Sequence, residues 1–165
     1  MNTMLPNTAQ TWAISICLLS GGLLTGALYF EFVLGLDPCP LCMMQRIWFL
    51  LTAVVAYVSL LHNPKWGIYP LIGILCAAIG AYFASRQLWL QSLPEDQVPS
   101  CGPDLQYMLD VLPMSDVLTA MTQGTGDCAK TAWSFIGITL PGWALLGFIT
   151  LAGFAIMQLR AGLHR

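Results

Sequence analysis

Charged side chains are scarce in this sequence. Asp, Glu, Lys and Arg together make up 8% of the 165 residues, whereas 57% are hydrophobic and the mean hydropathy is +0.71. So few charges cannot cover the surface of a water-soluble domain of this size. The six Lys and Arg residues also form no basic patch that would bind nucleic acid. The composition therefore excludes a soluble domain and a nucleic-acid-binding protein, and it predicts an integral membrane protein surrounded by lipid.

Basic residues are missing from the N-terminal segment as well. Residues 1–11 contain no Lys or Arg, whereas a cleavable signal peptide begins with a basic segment and continues into a short apolar one. The first apolar run here is long enough to cross a bilayer. We therefore expect a retained transmembrane helix that also acts as the insertion signal.

Four long apolar runs account for most of the chain. A helix of about 20 apolar residues crosses a hydrocarbon layer roughly 30 Å thick. The pattern predicts an all-α membrane protein, a four-transmembrane-helix bundle that forms one integral membrane domain over residues 1–165. The predicted spans are residues 12–32, 43–61, 66–88 and 141–159.

Two loops, residues 33–42 and 90–140, lie on the same side of the predicted bundle. The longer loop carries six of the eight acidic residues, and its apolar residues recur at helical spacing. This spacing predicts a short amphipathic helix on the bilayer surface, with Leu105, Met108, Leu109, Leu112, Val117, Leu118 and Met121 on its apolar face. Such a helix either seals the loop against the membrane or steers a partner or the motion of the loop.

The orientation of the bundle does not follow from its basic residues. Four spans place both termini on one side, and Lys and Arg divide three to three between the two sides. Disulfides, however, persist on the oxidising face of a membrane. We therefore expect the cysteine-bearing loops outside the cytoplasm and both termini inside it.

A pair of cysteines, Cys39 and Cys42, stands at the start of the second apolar run. Pro40 suits the first turn of a helix, which places Cys42 within that turn, where the helix dipole stabilises a thiolate. A thiolate metal site needs further Cys or His ligands, and both histidines, His62 and His164, fall on the opposite side, so no metal is expected. A structural disulfide between neighbours so close in sequence would stabilise little. The pattern favours a redox pair that exchanges its disulfide.

Arg46 follows Cys42 by four residues and therefore lies on the same helix face. It could simply extend its guanidinium into the lipid headgroups. Alternatively, it could stabilise a thiolate or the negative charge that develops on an electron acceptor. Both interpretations stay open at this stage.

Two further cysteines, Cys101 and Cys128, lie in the long loop with 26 residues between them. They could form a disulfide that holds the loop together. Cys101, however, stands in an exposed Pro-Ser-Cys-Gly-Pro segment that a partner protein could reach, so both roles stay open. The remaining cysteines, Cys17 and Cys76, fall in the middle of spans and are expected to be small buried hydrophobes without chemistry.

The segment from Cys39 to Arg46 resembles the Cys-x-x-Cys-x-x-x-Arg segment of the DsbB family of bacterial disulfide-bond formation proteins. The sequence around Cys128, Gly-Asp-Cys-Ala-Lys, and the Leu-Pro-Gly-Trp sequence that begins at Leu140 are similar to that family's second loop and its approach to the last helix. The chain length and the four spans agree. That family resembles the vitamin K epoxide reductases in fold, as a four-helix membrane bundle.

The resemblance implies a multi-pass protein of the bacterial inner membrane whose redox loops face the periplasm. Its activity would be to reoxidise a DsbA-like periplasmic thioredoxin-fold oxidase. The two electrons would pass to ubiquinone or menaquinone of the membrane quinone pool. Catalysis would thereby sustain disulfide-bond formation.

The resemblance also implies a role for each site residue. Cys101 would be attacked by the partner's thiolate, and the released Cys128 would attack Cys39. Cys42 would then face the quinone as a thiolate, with Arg46 stabilising both that thiolate and the reduced ring. Completion would restore the Cys39–Cys42 and Cys101–Cys128 disulfides.

Two other functions are compatible with the same residues. One is a quinone or thiol reductase that runs in the opposite direction, as in the vitamin K epoxide reductase-like group. The other is a membrane scaffold whose disulfides are purely structural. Replacing Cys42 with serine would distinguish a scaffold, which would lose no activity, from either enzyme.

Overall fold

The computed structural model describes residues 8–63, 65–94, 96–102, 105–131 and 133–163, without the side chains of residues 105, 106 and 109. His164, one of the two histidines, and Arg165 therefore lie outside the described residues. So do the side chains of Leu105 and Leu109, two members of the predicted amphipathic face.

The described part of the chain is mainly helical. Its helices are α1 (Thr8–Phe32), α2 (Pro40–His62), α3 (Ile68–Gln91), α4 (Leu105–Val111), α5 (Met114–Gln123) and α6 (Leu140–Leu163). The helices α1, α2, α3 and α6 are long and apolar enough to cross a membrane, judged by length and composition. The predicted all-α, four-helix membrane architecture is confirmed.

The four long helices close into a ring in which α1 packs on α2, α2 on α3, α3 on α6 and α6 on α1. At the centre, the rings of Phe49 and Phe148 stack with centroids 3.9 Å apart and planes 3° from parallel. The Phe148 ring also fills the space that a Cβ atom at Gly80 would need. Lipid is as apolar as a leucine side chain, so close packing at small residues holds membrane helices together.

A buried polar contact crosses the bundle at the end away from the cysteine pair. Gln158 of α6 donates from Nε2 to the Ser59 hydroxyl of α2 at 2.9 Å. His62 lies near this end, at the last residue of α2, where its Nδ1 is 2.6 Å from the Tyr69 hydroxyl. The end of the bundle that holds Cys39 is therefore separated from His62 by the full length of α2.

The long loop contains two short helices, because Pro113 divides the predicted amphipathic stretch. Proline lacks the N–H that a continuous helix needs, and here it precedes α5 in an extended conformation. After α5 come a 3₁₀ turn (Gly126–Ala129) and a small antiparallel hairpin of β1 (Ser134–Phe135) and β2 (Ile138–Thr139). No pattern in the sequence predicts this hairpin.

The long loop folds over the N-terminal end of α2. The helix α5 packs on α2, and its Val117 is buried. The turn after α5 is made by Gly124, whose φ of +83° is accessible to glycine and whose Cα lies against the side chains of Leu41 and Leu90. This contact brings the second half of the long loop against the cysteine pair. That α5 lies on the bilayer surface stays a prediction.

Candidate active site

The helix α2 begins at the cysteine pair, with Cys39 as its N-cap residue and Pro40 as its first residue. The first amides of a helix have no partner within the helix. The Cys39 sulfur accepts one of them, the N–H of Cys42, at 3.4 Å. Both sulfurs consequently lie at the positive end of the α2 dipole, which favours negative charge on them.

The two sulfurs are close enough to exchange a bond. Cys39 Sγ and Cys42 Sγ are 2.8 Å apart, and all six cysteines are free thiols in this structure. A disulfide formed between Cys39 and Cys42 would therefore need little movement of the backbone. The local geometry suits a pair that opens and closes.

Cys128 reaches the same point from the long loop. It is fully buried in the 3₁₀ turn, where its sulfur is hydrogen-bonded to the Cys39 thiol and to the backbone N–H of Leu41. The bond from Cys39 is the main cause that lowers the pKa of Cys128 from 9.0 to about 6. The same bond raises the pKa of Cys39. In the reduced protein the negative charge is therefore held on Cys128 rather than on Cys39, and a thiolate is the nucleophile of disulfide exchange.

Cys101 lies at the surface beside the turn that carries Cys128. The Gly126 N–H donates to the Ser100 carbonyl at 3.2 Å and so joins the two segments. The Cys101 thiol is hydrogen-bonded to the carboxylate of Asp127, which Lys130 also contacts at 2.8 Å. The Lys130 contact lowers the pKa of Asp127. Cys101 is exposed and therefore accessible to another protein.

The structure thus places the four predicted cysteines along one path from the surface to the start of α2. Cys128, Cys39 and Cys42 contact one another in that order, and Cys101 is adjacent through Asp127. The two cysteines for which no chemistry was expected lie elsewhere. Cys17 contacts the carbonyl of Ala53, and Cys76 is buried in α3.

The Arg46 guanidinium is held by α1. Its Nη1 forms an ion pair with the Glu31 carboxylate, and its Nη2 donates to the Ala27 carbonyl at 3.0 Å. The Arg46 side chain is 14% exposed. Arg46 lines the same cavity as Cys42, so the wall of this cavity contains a cation. The spacing of Cys42 and Arg46 along α2 does not predict Glu31 of α1 as the partner of Arg46.

Two buried glutamines also belong to the site, and the sequence analysis missed their role. Gln87 of α3 and Gln45 of α2 are 3% and 5% exposed. Gln45 Nε2 donates to Gln87 Oε1 at 2.7 Å, and Gln87 Nε2 lies 3.3 Å from Cys39 Sγ and 3.2 Å from Cys42 Sγ. The available signal was a polar amide within an otherwise apolar span, which is costly unless it has a partner.

A cavity of about 960 Å³ opens next to Cys42, between the helix ends and the two loops. Cys42, Gln45 and Arg46 form part of its wall. The charged side chains of Asp37, Asp127 and Lys130 also line it, and so do five aromatic side chains: Phe30, Phe49, Trp133, Phe135 and Trp143. The volume is within the usual range for small-molecule sites, roughly 300–1,000 Å³. Flat apolar walls with a few N–H donors fit the ring and the carbonyl oxygens of a quinone.

Among the described residues, no group of three or more His, Cys, Asp or Glu side chains could hold a metal ion. Cys39, Cys42 and Cys128 contact one another, and Cys101 contacts the Asp127 carboxylate. Thiols in contact can undergo thiol–disulfide exchange.

Comparisons with known proteins agree with the resemblance in the cysteine segments. The family model for disulfide bond formation protein DsbB matches residues 9–158. A protein of Hahella chejuensis named disulfide bond formation protein B is 51% identical over 81% of this chain and 84% of its own length. Proteins of the same name from Marinobacter nauticus (48% identical, 82% of this chain and 83% of the relative) and Saccharophagus degradans (42%, 94% and 95%) are also similar. No solved structure matches.

Proposed function

Because this chain belongs to the DsbB family of disulfide bond formation proteins, we propose that it is a quinone-dependent dithiol oxidase of the bacterial inner membrane. Its substrate is a DsbA-like periplasmic thioredoxin-fold oxidase, and its electron acceptor is ubiquinone or menaquinone. The observation that supports this most directly is the contact of Cys128, Cys39 and Cys42 beside the cavity. By reoxidising its substrate, the protein sustains disulfide-bond formation.

The proposed orientation puts both cysteine-bearing loops in the periplasm and both termini in the cytoplasm. Cys39 and Cys128 come from different loops and lie in contact, so both loops belong to one face of the membrane. Disulfides persist on the oxidising face. The contact between the two loops and the persistence of disulfides therefore support an orientation that the count of basic residues leaves open.

The first exchange takes place at the surface. A thiolate of the reduced partner attacks Cys101 Sγ, the Cys101–Cys128 bond breaks, and the electron pair leaves on Cys128. The backbone N–H of Leu41, which is hydrogen-bonded to the Cys128 sulfur, stabilises the thiolate that leaves. The partner's second thiolate then attacks the sulfur joined to Cys101, which releases the oxidised partner and leaves Cys101 as a thiol.

The second exchange moves the reducing equivalents to the start of α2. The Cys128 thiolate attacks Cys39 Sγ, the Cys39–Cys42 bond breaks, and a Cys39–Cys128 bond forms. The electron pair leaves on Cys42. No net oxidation occurs in this step, because one disulfide replaces another.

The last stage returns the cysteines to their starting state. A quinone in the cavity would accept two electrons and two protons. The α2 dipole and the nearby Arg46 hold negative charge on Cys42 until that point. The Cys39–Cys128 bond breaks while Cys39–Cys42 and Cys101–Cys128 form. The two electrons come from the sulfurs of Cys42 and Cys101, one proton comes from the Cys101 thiol, and the other comes from water, to which the partner's attacking thiols released their protons.

The proposal is tested with purified protein in detergent, mixed with a reduced DsbA-like partner and ubiquinone, while quinone absorbance is followed. The unchanged chain is expected to reduce the quinone in step with partner oxidation, and Cys42→Ser is expected to abolish this. Cys76→Ser is the matched control, because Cys76 is buried in α3 away from the site. Quinone reduction by Cys42→Ser at the normal rate would contradict the proposal.

A further inference from the structure

We propose that Gln87 is a further catalytic residue, whose side-chain amide holds the negative charge on Cys42 during disulfide exchange, and that Gln45 positions it. This inference rests on the proposed function, because it assigns a role within the same exchange. It concerns two residues that carry no charge and that the cysteine spacing does not reveal.

The position of Gln87 is the first observation. Its Nε2 is 3.3 Å from Cys39 Sγ and 3.2 Å from Cys42 Sγ, so one amide group faces both sulfurs of the pair. An amide nitrogen carries two hydrogens and can donate to both sulfurs. It is therefore in contact with the bond that breaks and with the atom that receives the electron pair.

The orientation of the Gln87 amide is the second observation. Its Oε1 accepts a hydrogen bond from Gln45 Nε2 at 2.7 Å. This contact directs the oxygen toward Gln45 and the nitrogen toward the sulfurs. The Cys42 thiol also lies 3.6 Å from Oε1, so the protonated sulfur can donate to the amide as well. The Gln87 amide can therefore hydrogen-bond to Cys42 whether that sulfur is a thiolate or a thiol.

Burial is the third observation. Gln87 and Gln45 are 3% and 5% exposed, on two helices that pack against each other within the membrane-spanning bundle. A polar side chain buried in this way is costly unless it is hydrogen-bonded. Away from bulk water, a hydrogen bond to a charged sulfur is stronger than one between neutral groups.

Gln87 assists the exchange in which Cys128 displaces Cys42 from Cys39. The Cys128 thiolate attacks Cys39 Sγ, the Cys39–Cys42 bond breaks, and the electron pair moves to Cys42 Sγ. Negative charge therefore leaves one sulfur of the group and appears on another. Gln87 Nε2 stands where the new charge appears, and Gln45 acts only through Gln87.

The test measures the reactivity of individual thiols in the reduced, full-length protein in detergent, without quinone or partner. Iodoacetamide is added at pH 7 for timed intervals, and tandem mass spectrometry measures modification at Cys42 and at Cys101. Gln87→Met keeps the length of the side chain and removes the donor. Its Cys42 rate is expected to fall about ten-fold, the size of losing one hydrogen bond to a charged group, while the Cys101 rate is unchanged.

Two further variants separate this role from a structural one. Gln91→Met, one turn along α3, is the matched control, because Gln91 accepts its hydrogen bond from Thr139. It should leave the ratio of the Cys42 and Cys101 rates unchanged. Gln45→Met should lower that ratio less than Gln87→Met, and the double variant should lower it no further than Gln87→Met alone, because Gln45 acts through Gln87.

An unchanged Cys42 rate in Gln87→Met would overturn the assignment. Equal slowing at Cys42 and Cys101 would also overturn it, since this would indicate a general change of fold. Because neither quinone nor partner is present, these results can be read even if the unchanged protein fails to reduce quinone. Failure of the proposed function and failure of this inference are therefore distinguishable.

Discussion

Cys39 is the residue at which the two loops meet. Its sulfur contacts Cys42 within the same turn, Cys128 from the long loop and Gln87 from α3. A sulfur in this position can bond to either cysteine without leaving the N-cap of α2. In the reduced protein, the hydrogen bond that Cys39 donates raises its own pKa and lowers that of Cys128, so the negative charge is held on Cys128.

These pKa shifts predict a pH dependence for the stability of the reduced protein. The pKa of Cys128 is lowered from 9.0 to about 6, so between these values the unfolded chain binds a proton that the folded chain has released. Stability from Cys128 is therefore expected to increase from pH 6 to pH 9. The unfolding midpoint under reducing conditions should rise across this window relative to that of Cys128→Ser.

Cys39 does not reverse this effect in that window. Its pKa is raised above 9.0, so its contribution is complete below that value and is lost only at higher pH. If the unchanged protein and Cys128→Ser had parallel midpoints from pH 6 to pH 9, the hydrogen bond between Cys39 and Cys128 would not hold charge on Cys128.

The ion pair of Arg46 and Glu31 leads to a second expectation. Removing only Arg46 would leave the Glu31 carboxylate without its partner and would confuse function with stability. The double variant Glu31→Gln/Arg46→Met avoids this. It is expected to fold, and its kcat/KM for quinone should fall by about ten-fold or more, because the cation in the cavity wall is lost.

Arg86→Met is the matched control for that loss of charge. Arg86 lies on α3, donates to the Gln123 carbonyl at 3.3 Å and stands over the Trp89 ring. Its loss should leave quinone kinetics unchanged. Equal quinone kinetics in the Glu31/Arg46 double variant and the unchanged protein would contradict this role. Arg46 would then only extend its guanidinium into the lipid headgroups.

At the residue level, the sequence could predict neighbours along one helix but not contacts between helices. The spacing of Cys39, Cys42 and Arg46 defines one helix face, and the structure agrees with it. Glu31 and Gln87 contact this face from 15 and 45 residues away, counted from Arg46 and Cys42. Such contacts depend on how the helices pack, which the apolar runs do not specify.

The helix α5 and the turn that follows it determine where Cys128 lies. Gly124 makes that turn with a positive φ, and a Cβ there would come within 2.7 Å of the side chains of Leu41 and Leu90. Leu41 is also the residue whose N–H contacts the Cys128 sulfur. The close packing of this turn and the position of Cys128 are thus coupled.

Gly124→Ala is therefore expected to destabilise the reduced protein and to slow the attack of Cys128 on Cys39. The expected loss is about 1–3 kcal/mol from overpacking, in addition to the cost of the positive φ. Gly137→Ala is the matched control, since Gly137 also has a positive φ (+75°) but has open space around it. Thermal unfolding of both variants isolates the packing contribution, and equal losses would show that the turn is not closely packed.

At the level of elements, apolar length predicted the four long helices, because their hydrophobicity is uniform. The long loop was harder to predict. Its stripe of leucine, valine and methionine correctly indicated helix, but the break at Pro113 depends on one residue. The β1–β2 hairpin is only two residues long on each side and has no alternating pattern from which to predict it.

The whole molecule has its four loop cysteines at one end, where Cys101 is exposed. The proposed orientation can be tested with a membrane-impermeant maleimide applied to reduced cells whose outer membrane has been made permeable. Cys101 should be labelled, whereas Asn63→Cys, at the other end of α2, should be labelled only after the inner membrane is disrupted. The reverse pattern would place the cysteine loops in the cytoplasm.

The most direct measurement of the central claim is a disulfide map taken during a single turnover. Oxidised protein, depleted of quinone, is mixed with one equivalent of reduced DsbA-like partner, quenched in acid at intervals and analysed by mass spectrometry. Because Cys128 attacks Cys39 and Cys42 leaves, we expect a Cys39–Cys128 disulfide to accumulate with Cys42 as a free thiol. Reduction of Cys101 and Cys128 while the Cys39–Cys42 disulfide stays intact would contradict it.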